Sequence, residues 1–376
     1  MAVNYESSST INDINLTIGS STISSDAKSA ISTLLLGGGS PIDNPGAPVN
    51  VGLGTVGSNG QVDIQGPDGS SPDVVVMNPS GGIADPNTGL LNISFSDETL
   101  ANSSVYFITG NTAVNVTWNT IPRIIVNGTG SDRMTVNGDA NTTIESTGGN
   151  DTLITSGGDD LITVQANGDS SVSTGAGNDT IKTGTGNDTI DAGTGIDVIS
   201  YANGSAGYTI TNFSGNQFQV EREGGVETLT NAERVHFSDK KVAMDLQEEQ
   251  NAGMSIQIIN VIAAELRDDP EIVGMILKMF DDGISLEALA QHAIDVGWVT
   301  QFAGSASNED LARLAYTNAF GAAPDEEQLD WALSFMDGRV ASYTQAEFIA
   351  EAARVDENNV TIDLVGLQQT GVEYLG

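Results

Sequence analysis

Three features of the 376-residue sequence predict a multidomain protein of β-plus-α class. A nine-residue period runs through its middle, short apolar runs cut by turn residues precede that, and a 3.6-residue period follows it. The expected parts are a β-rich amino-terminal region over 1–125, a parallel β-roll (β-solenoid) over 126–200, a cap over 201–246 and an α-helical domain over 247–376.

The first part is rich in Gly, Ser, Asn and Pro, and Lys28 is the only base ahead of Arg123. SSDAKSAISTLLLGGG reads as one short helix closed by Gly37. GGGSPIDNPGAPVNVGLG reads as a loop, since Gly and Pro interrupt any regular pattern. DVVVM, LLNISF, SVYFITG and AVNVTW are short strands between turn residues.

The middle repeats a unit whose sixth residue is an acid. Units start at 127, 137, 146, 155, 165, 174, 183 and 192, with Val136 and Val164 as single extra residues. Position eight is then Met134, Ile144, Leu153, Ile162, Val172, Ile181, Ile190 and Ile199, apolar in every unit. Glycines supply the positive φ of a tight turn at little steric cost. The three residues around position eight form a strand whose central side chain points inward. Two such half-turns make one coil, and stacked coils make a flattened parallel roll. Carboxylates stacked coil upon coil repel one another, so the arrangement asks for a hard cation with oxygen ligands, which suits Ca²⁺.

TGAGNDTIKTGTGNDTIDAGTGIDVIS, residues 174–200, resembles the RTX, or hemolysin-type calcium-binding, nonapeptide repeats of proteins exported by type I secretion. The resemblance implies Ca²⁺ held between neighbouring coils by Asp side chains and turn carbonyls. By position the acids are Asp151, Asp160, Asp179, Asp188 and Asp197, and the carbonyl donors are Gly177, Asn178, Gly186, Asn187 and Gly195. The first Gly is replaced by Thr174, Thr183 and Ala192, while Thr142 and Ser170 stand where acids belong. Uneven loading with metal follows.

Residues 201–239 are similar to the segment that closes such arrays, with Tyr208, Ile210, Leu229, Val235 and Phe237 as expected cap core and His236 as a structural residue. A solenoid needs a cap because its last coil otherwise exposes apolar side chains and an open strand edge. From about 252 the segments SIQIINVIAAEL, PEIVGMILKMF, SLEALAQHAIDVG, EDLARLAYTNAFG, DEEQLDWALSFMDG and TQAEFIAEAARV are helical. Gly283, Gly321 and Gly338 mark helix ends, and Thr344 with Glu347 forms a capping box. LARLAYTNAFGAAPDEEQLDW resembles a small helical domain of unknown function found in secreted and surface-layer bacterial proteins, with Ala322 and Gln328 departing from its usual form. Tyr316, Phe320, Leu329 and Trp331 are read as core.

Fifty acids against thirteen bases, a net charge of -37, exclude nucleic acid as a partner and favour cations. No cysteine is present, so thiolate metal sites and disulfides are excluded. The amino terminus lacks the pattern of a cleaved signal peptide, and no apolar run approaches the roughly 20 residues of a membrane span, so no membrane insertion is expected. With two histidines, no His-Glu-x-x-His and no Gly-x-Ser-x-Gly, no enzyme is expected. The sequence therefore points to a secreted calcium-binding structural protein of the bacterial cell exterior: a surface-layer, matrix or filament subunit that assembles as a homo-oligomer or polymer on binding Ca²⁺. A cell-surface polysaccharide is a further expected partner, and VTIDLVGLQQTGVEYLG a carboxy-terminal export signal. The alternative is a monomeric calcium-dependent adhesin or glycan-binding module that stacks sugars on Tyr5, Phe95, Tyr106, Phe107 and Trp118.

Overall fold

The structure is a computed structural model that describes residues 51–57, 61–65, 74–79, 82–95, 104–119, 121, 123–165, 168–247 and 249–376. The helix expected over 24–37, the linker residues before 51 and Tyr5 lie outside the described residues. The chain divides into two compact units. The first runs to Ala202 and takes in Gly207–Thr209 and Gln217–Ala232; the second comprises Asn203–Ala206, Ile210–Asn216 and Glu233–Gly376. Residues 217–232 of the expected cap thus group with the roll, and 233–246 with the helices.

In chain order the strands begin with β1 (Val51–Val56), β2 (Val62–Gln65), β3 (Val74–Met77), β4 (Leu91–Ile93), β5 (Val105–Ile108), β6 (Val114–Asn119) and β7 (Arg123–Val126). The repeats supply β8 (Arg133–Asn137), β9 (Thr142–Ser146), β10 (Thr152–Ile154), β11 (Leu161–Val164), β12 (Ser171–Ser173), β13 (Thr180–Lys182), β14 (Thr189–Asp191) and β15 (Val198–Ser200). After them come β16 (Tyr208–Ser214), β17 (Gln217–Arg222), β18 (Gly225–Thr230), β19 (Arg234–His236), β20 (Lys241–Ala243) and β21 (Val372–Tyr374).

From β3 to β15 odd and even strands go to different sheets, as two half-turns per coil require. One sheet has the order β2-β1-β3-β5-β7-β9-β11-β13-β15, and the other β17-β18-β14-β12-β10-β8-β6-β4. All neighbours are parallel except the pairs β1/β2 and β17/β18. The parallel ladder crosses residue 126 unbroken: β5 pairs with β7, and β7 with β9. The four strands expected upstream of the repeats are therefore coils of the same solenoid.

The pairing register places position eight of every unit in one of two inward columns. One runs Val75, Tyr106, Ile125, Ile144, Ile162, Ile181, Ile199; the other Ile93, Val116, Met134, Leu153, Val172, Ile190, Leu229. All eight residues expected to point inward are buried. The extra residues Val136 and Val164 are buried too, so each insertion adds a side chain to the core. At roughly 1.5–3 kcal/mol per buried aliphatic side chain, one such residue per half-turn makes a thin core.

The aromatic residues expected to offer a stacking surface are elsewhere. Tyr106 occupies an inward column position, and Tyr106, Phe107 and Trp118 are all buried. Phe95 closes a ring cluster with Tyr106 and Trp118, at centroid distances of 5.0 and 5.9 Å. Packing inside the coils ahead of the repeats claims Tyr106 and Trp118, while Phe107, next to Tyr106 in β5, is buried on the opposite face of that strand.

Nine α-helices lie among the described residues of the second unit: α1 (Asn251–Ala263), α2 (Pro270–Asp281), α3 (Leu286–Asp295), α4 (Trp298–Ala303), α5 (Asn308–Phe320), α6 (Glu326–Ser334), α7 (Gln345–Arg354), α8 (Asp356–Thr361) and α9 (Leu364–Thr370). α1 is buried on nearly every side and forms the centre of the core. Its polar side chains are paired: Asn260 Nδ2 donates to Asn358 Oδ1 (2.8 Å) and to the Asn318 carbonyl (3.0 Å), and Gln257 Nε2 donates to Asn359 Oδ1 (2.6 Å). Gly283, Gly321 and Gly338 adopt positive φ, and the Thr344–Glu347 capping box is present. Leu229, Val235 and Phe237 are buried as expected, whereas Tyr208 and Ile210 are only half-buried.

One core residue is corrected. Trp331 is 49% exposed. α6 turns Leu329 and Ala332 inward, and Trp331, about 200° around the helix from Leu329, falls on the outer face and packs edge-on against Phe335. The last residues are integrated into this unit: β21 pairs antiparallel with β20, placing Glu373 opposite Val242. Gly274 of α2 admits that strand, since a Cβ there would lie 1.5 Å from the Leu375 carbonyl oxygen. Among the described residues no helix is long and apolar enough to cross a membrane.

Candidate metal centre

Each turn of the roll is built from three consecutive positions with different tasks. Position four is glycine in every unit but the one that carries Ala140, because the coils touch there. A Cβ on Gly195 would come within 1.9 Å of the Gly177 carbonyl oxygen, and one on Gly177 within 2.2 Å of that of Gly158. Gly177, Gly186 and Gly195 also hold φ of 132°, 137° and 141°, which side-chain-bearing residues avoid. Their carbonyls thus line up along the stack.

Position five makes an exposed hydrogen-bond ladder that the sequence reading missed. Asn178 N donates to Asp159 Oδ1 at 2.8 Å, and Asn178 Oδ1 accepts from Ile196 N at 2.8 Å. Asn187 N likewise donates to Asp169 Oδ1 (2.8 Å), and its own Oδ1 accepts from Val226 N (2.9 Å). The side chains of Asn178 and Asn187 therefore bind coil to coil, which leaves their carbonyls as the atoms to consider for a metal. The signal was present in the recurrence of Asn or Asp just before the position-six residue, at 141, 150, 159, 169, 178 and 187.

Position six is the buried acid. Asp179 N donates to Asp197 Oδ1 (2.8 Å), Asp160 N to Asp179 Oδ1 (2.7 Å) and Thr142 N to Asp160 Oδ1 (2.6 Å). On the other edge Ser170 N donates to Asp188 Oδ1 (2.8 Å), Asp151 N to Ser170 Oγ (3.2 Å) and Asp132 N to Asp151 Oδ1 (2.7 Å). Each acid thus reaches the same position one coil earlier, 18 or 19 residues away, in two columns. All five acids singled out in the sequence stand in these columns, together with Asp132, which precedes them. Each is at most 3% exposed.

One carboxylate oxygen per acid is thereby spent, and the other distinguishes the sites. Oδ2 of Asp160, Asp179 and Asp188 is buried and receives no hydrogen bond. Oδ2 of Asp151 accepts from Ser146 Oγ and from Asn127 Nδ2 (3.3 Å), and Oδ2 of Asp132 from Asn127 Nδ2 (2.9 Å). Burial pushes the carboxyls of Asp160 and Asp197 up to about 7 and that of Asp132 to about 6. It raises Asp151, Asp179 and Asp188 as well. Buried acids behave this way when nothing supplies the compensating positive charge.

These residues fit a hard cation. The donors are oxygens only, carboxylate and carbonyl, as Ca²⁺ prefers. Among the described residues no three acids or histidines converge on one point, so carbonyls would have to complete any coordination shell. Asp160, Asp179 and Asp197, with the Gly177, Asn178 and Gly195 carbonyls, belong to one edge; Asp151 and Asp188, with Gly186 and Asn187, to the other. A bound ion would supply the missing positive charge, and the chain's part is to hold the acids at fixed spacing with one oxygen already oriented.

Compared with known protein families, the chain matches the RTX calcium-binding nonapeptide repeat (4 copies) over residues 136–169 and 164–199. No curated protein matches it, and no solved structure does.

Proposed function

We propose that this RTX repeat protein, whose repeats match a calcium-binding family, serves as a structural subunit of the bacterial cell exterior, folding and assembling when it meets Ca²⁺. The observation that carries this reading is the pair of stacked acid columns, several of whose members are buried with one oxygen unpaired. Such a stack is costly without cations and rigid with them, which suits a scaffold made outside the cell. RTX repeat proteins are typically exported by type I secretion. Poor Ca²⁺ inside the cell would keep the repeats loose for passage, and Ca²⁺ outside would complete them.

The proposed assembly is of like chains. Residues 245–376 hold 24 acids and 5 bases, and divalent ions reduce repulsion between faces so charged. Surface-layer, matrix and filament roles all share this requirement. The glycan-binding alternative loses support from the burial of Tyr106, Phe107 and Trp118. No chemistry of catalysis is assigned to the chain.

Size-exclusion chromatography with light scattering, followed by electron microscopy, tests the proposal on the full chain. Large ordered particles in millimolar CaCl₂ and their dispersal by EDTA are the expected result. A strict monomer at high concentration in CaCl₂ would remove the structural reading and favour a monomeric adhesin.

A further inference from the structure

A further half-turn of the roll stands outside the nine-residue pattern. Residues 225–230, GVETLT, lie on 186–191, GNDTID, position for position. β18 runs parallel to β14 with Thr228 opposite Thr189, Leu229 opposite Ile190 and Thr230 opposite Asp191. The stacking contacts of the repeats continue here. Val226 N donates to Asn187 Oδ1 (2.9 Å), Thr228 N donates to the Asp188 carbonyl (2.9 Å), and a Cβ on Gly225 would lie 2.0 Å from the Gly186 carbonyl oxygen. Gly225, Val226 and Glu227 therefore take positions four, five and six.

Glu227 is fully buried at the position of the repeat acid, yet it is neutralised differently. Arg222, at the end of β17, pairs with Glu227 through Nη2 and donates from the same nitrogen to the Gly184 carbonyl at 2.7 Å. Tyr201 Oη donates to the other carboxylate oxygen, Glu227 Oε2, at 2.5 Å. The Arg222 side chain is only 7% exposed, and its charge also favours the ionised form of Asp188, the next acid in the column. The guanidinium is thus gripped by a position-six carboxylate and by a turn carbonyl of the half-turn below it. Elsewhere in the roll those are the donor types offered to an ion.

We propose that Arg222 is a resident cation that takes the place of Ca²⁺ at the last rung of this column, so that the carboxy-terminal end of the roll closes without metal. The amino-terminal end of the same column is closed by a neutral donor, Asn127 Nδ2, which bridges Asp132 and Asp151. Asp160 and Asp179, on the other edge, have no such donor at Oδ2. A guanidinium holds its charge at any physiological pH and needs no extracellular ion. A metal-free closed end gives incoming half-turns a formed edge to stack on, and a solenoid propagates from whichever unit forms first.

The test uses the full chain, CaCl₂ titration calorimetry and hydrogen exchange over 217–230. In EDTA the wild-type hairpin should stay protected. Arg222→Ala should lose that protection in EDTA, recover it in CaCl₂ and bind one more Ca²⁺ per chain, whereas Arg222→Lys should match wild type. An Arg222→Ala chain with unchanged stoichiometry, or with a hairpin that CaCl₂ does not restore, overturns the proposal. So does an Arg222→Lys chain that takes up the extra ion. A wild-type chain that takes up no Ca²⁺ would instead remove the calcium reading of the repeats, and with it the ion that Arg222 replaces.

Discussion

Gly195 shows what a single residue contributes to the roll. Its φ of 141° and the Gly177 oxygen 1.9 Å from where a Cβ would sit both forbid a side chain. Gly195→Ala should therefore cost well over about 1 kcal/mol, more than the conformational effect alone, read as a lower melting temperature in CaCl₂. The unspent oxygens give a second residue-scale outcome. Asp179→Asn should lower the Ca²⁺ stoichiometry, while Asp132→Asn, whose Oδ2 already takes the Asn127 amide, should leave it unchanged. Equal losses in calorimetry would show that the amide does not substitute for an ion. In the second unit His236 bonds through Nε2 to Tyr374 Oη (2.7 Å). Burial first, then the charges of Lys241 and Arg234, depress its pKa from 6.5 to about 4. The unfolded chain then takes the proton before the folded one, so this contribution is complete above about 6.5 and is lost as pH falls from 6.5 through 4. His236→Gln should flatten the fall in this unit's melting temperature across that window. An unchanged slope would assign the pH dependence to other groups.

At the scale of the element, the inward columns hold the roll together. Ile181 stacks between Ile162 and Ile199 and is fully buried, so Ile181→Ala should cost about 2–5 kcal/mol by loss of burial and a residual cavity. A change at exposed Thr189 of β14 should cost less than about 0.5 kcal/mol. Thermal melts in saturating CaCl₂ compare the two, and similar shifts would mean that position eight does not carry the core. The same elements show what could be read from sequence. Position eight was legible because eight consecutive units repeat it at fixed spacing. The coils formed by β3 to β6 were legible only as strands, because stacking demands one inward apolar side chain per half-turn and does not demand the Gly-x-Asp turn, and β7 (Arg123–Val126) was not anticipated. Residues 225–230 kept the turn pattern but followed an intervening hairpin strand and replaced Asp with Glu227, which hid the period. Among the helices, those with caps and two or more turns were evident. α4, α8 and α9 are six or seven residues long and too short to display a 3.6-residue period. Trp331 shows that helical phase, not aromatic character, decides which side of α6 a residue takes.

For the whole molecule the decisive contrast is in how the two units meet the cost of folding. The helical unit has one contiguous apolar core running from Ala243 to Tyr374, and its buried amides are paired. The repeats of the roll have little more than one buried apolar residue per half-turn and a row of buried acids, each of which costs several kcal/mol unless a positive charge compensates it. Removing Ca²⁺ should therefore act on one unit alone. Circular dichroism of the full chain in EDTA should keep the helical signature and lose β signal from the repeats. Thermal melting should then show a helical transition that scarcely depends on Ca²⁺ and a second transition that appears only when the ion is added. Mg²⁺ at the same concentration should restore the second transition poorly, since it demands six ligands in near-ideal octahedral geometry and parts reluctantly with water. A single transition that moves as one with CaCl₂ would mean that the helices depend on the roll for stability. Recovery by Mg²⁺ equal to that by Ca²⁺ would mean that diffuse screening of a chain of net charge -37, rather than ions held between coils, is what the repeats require.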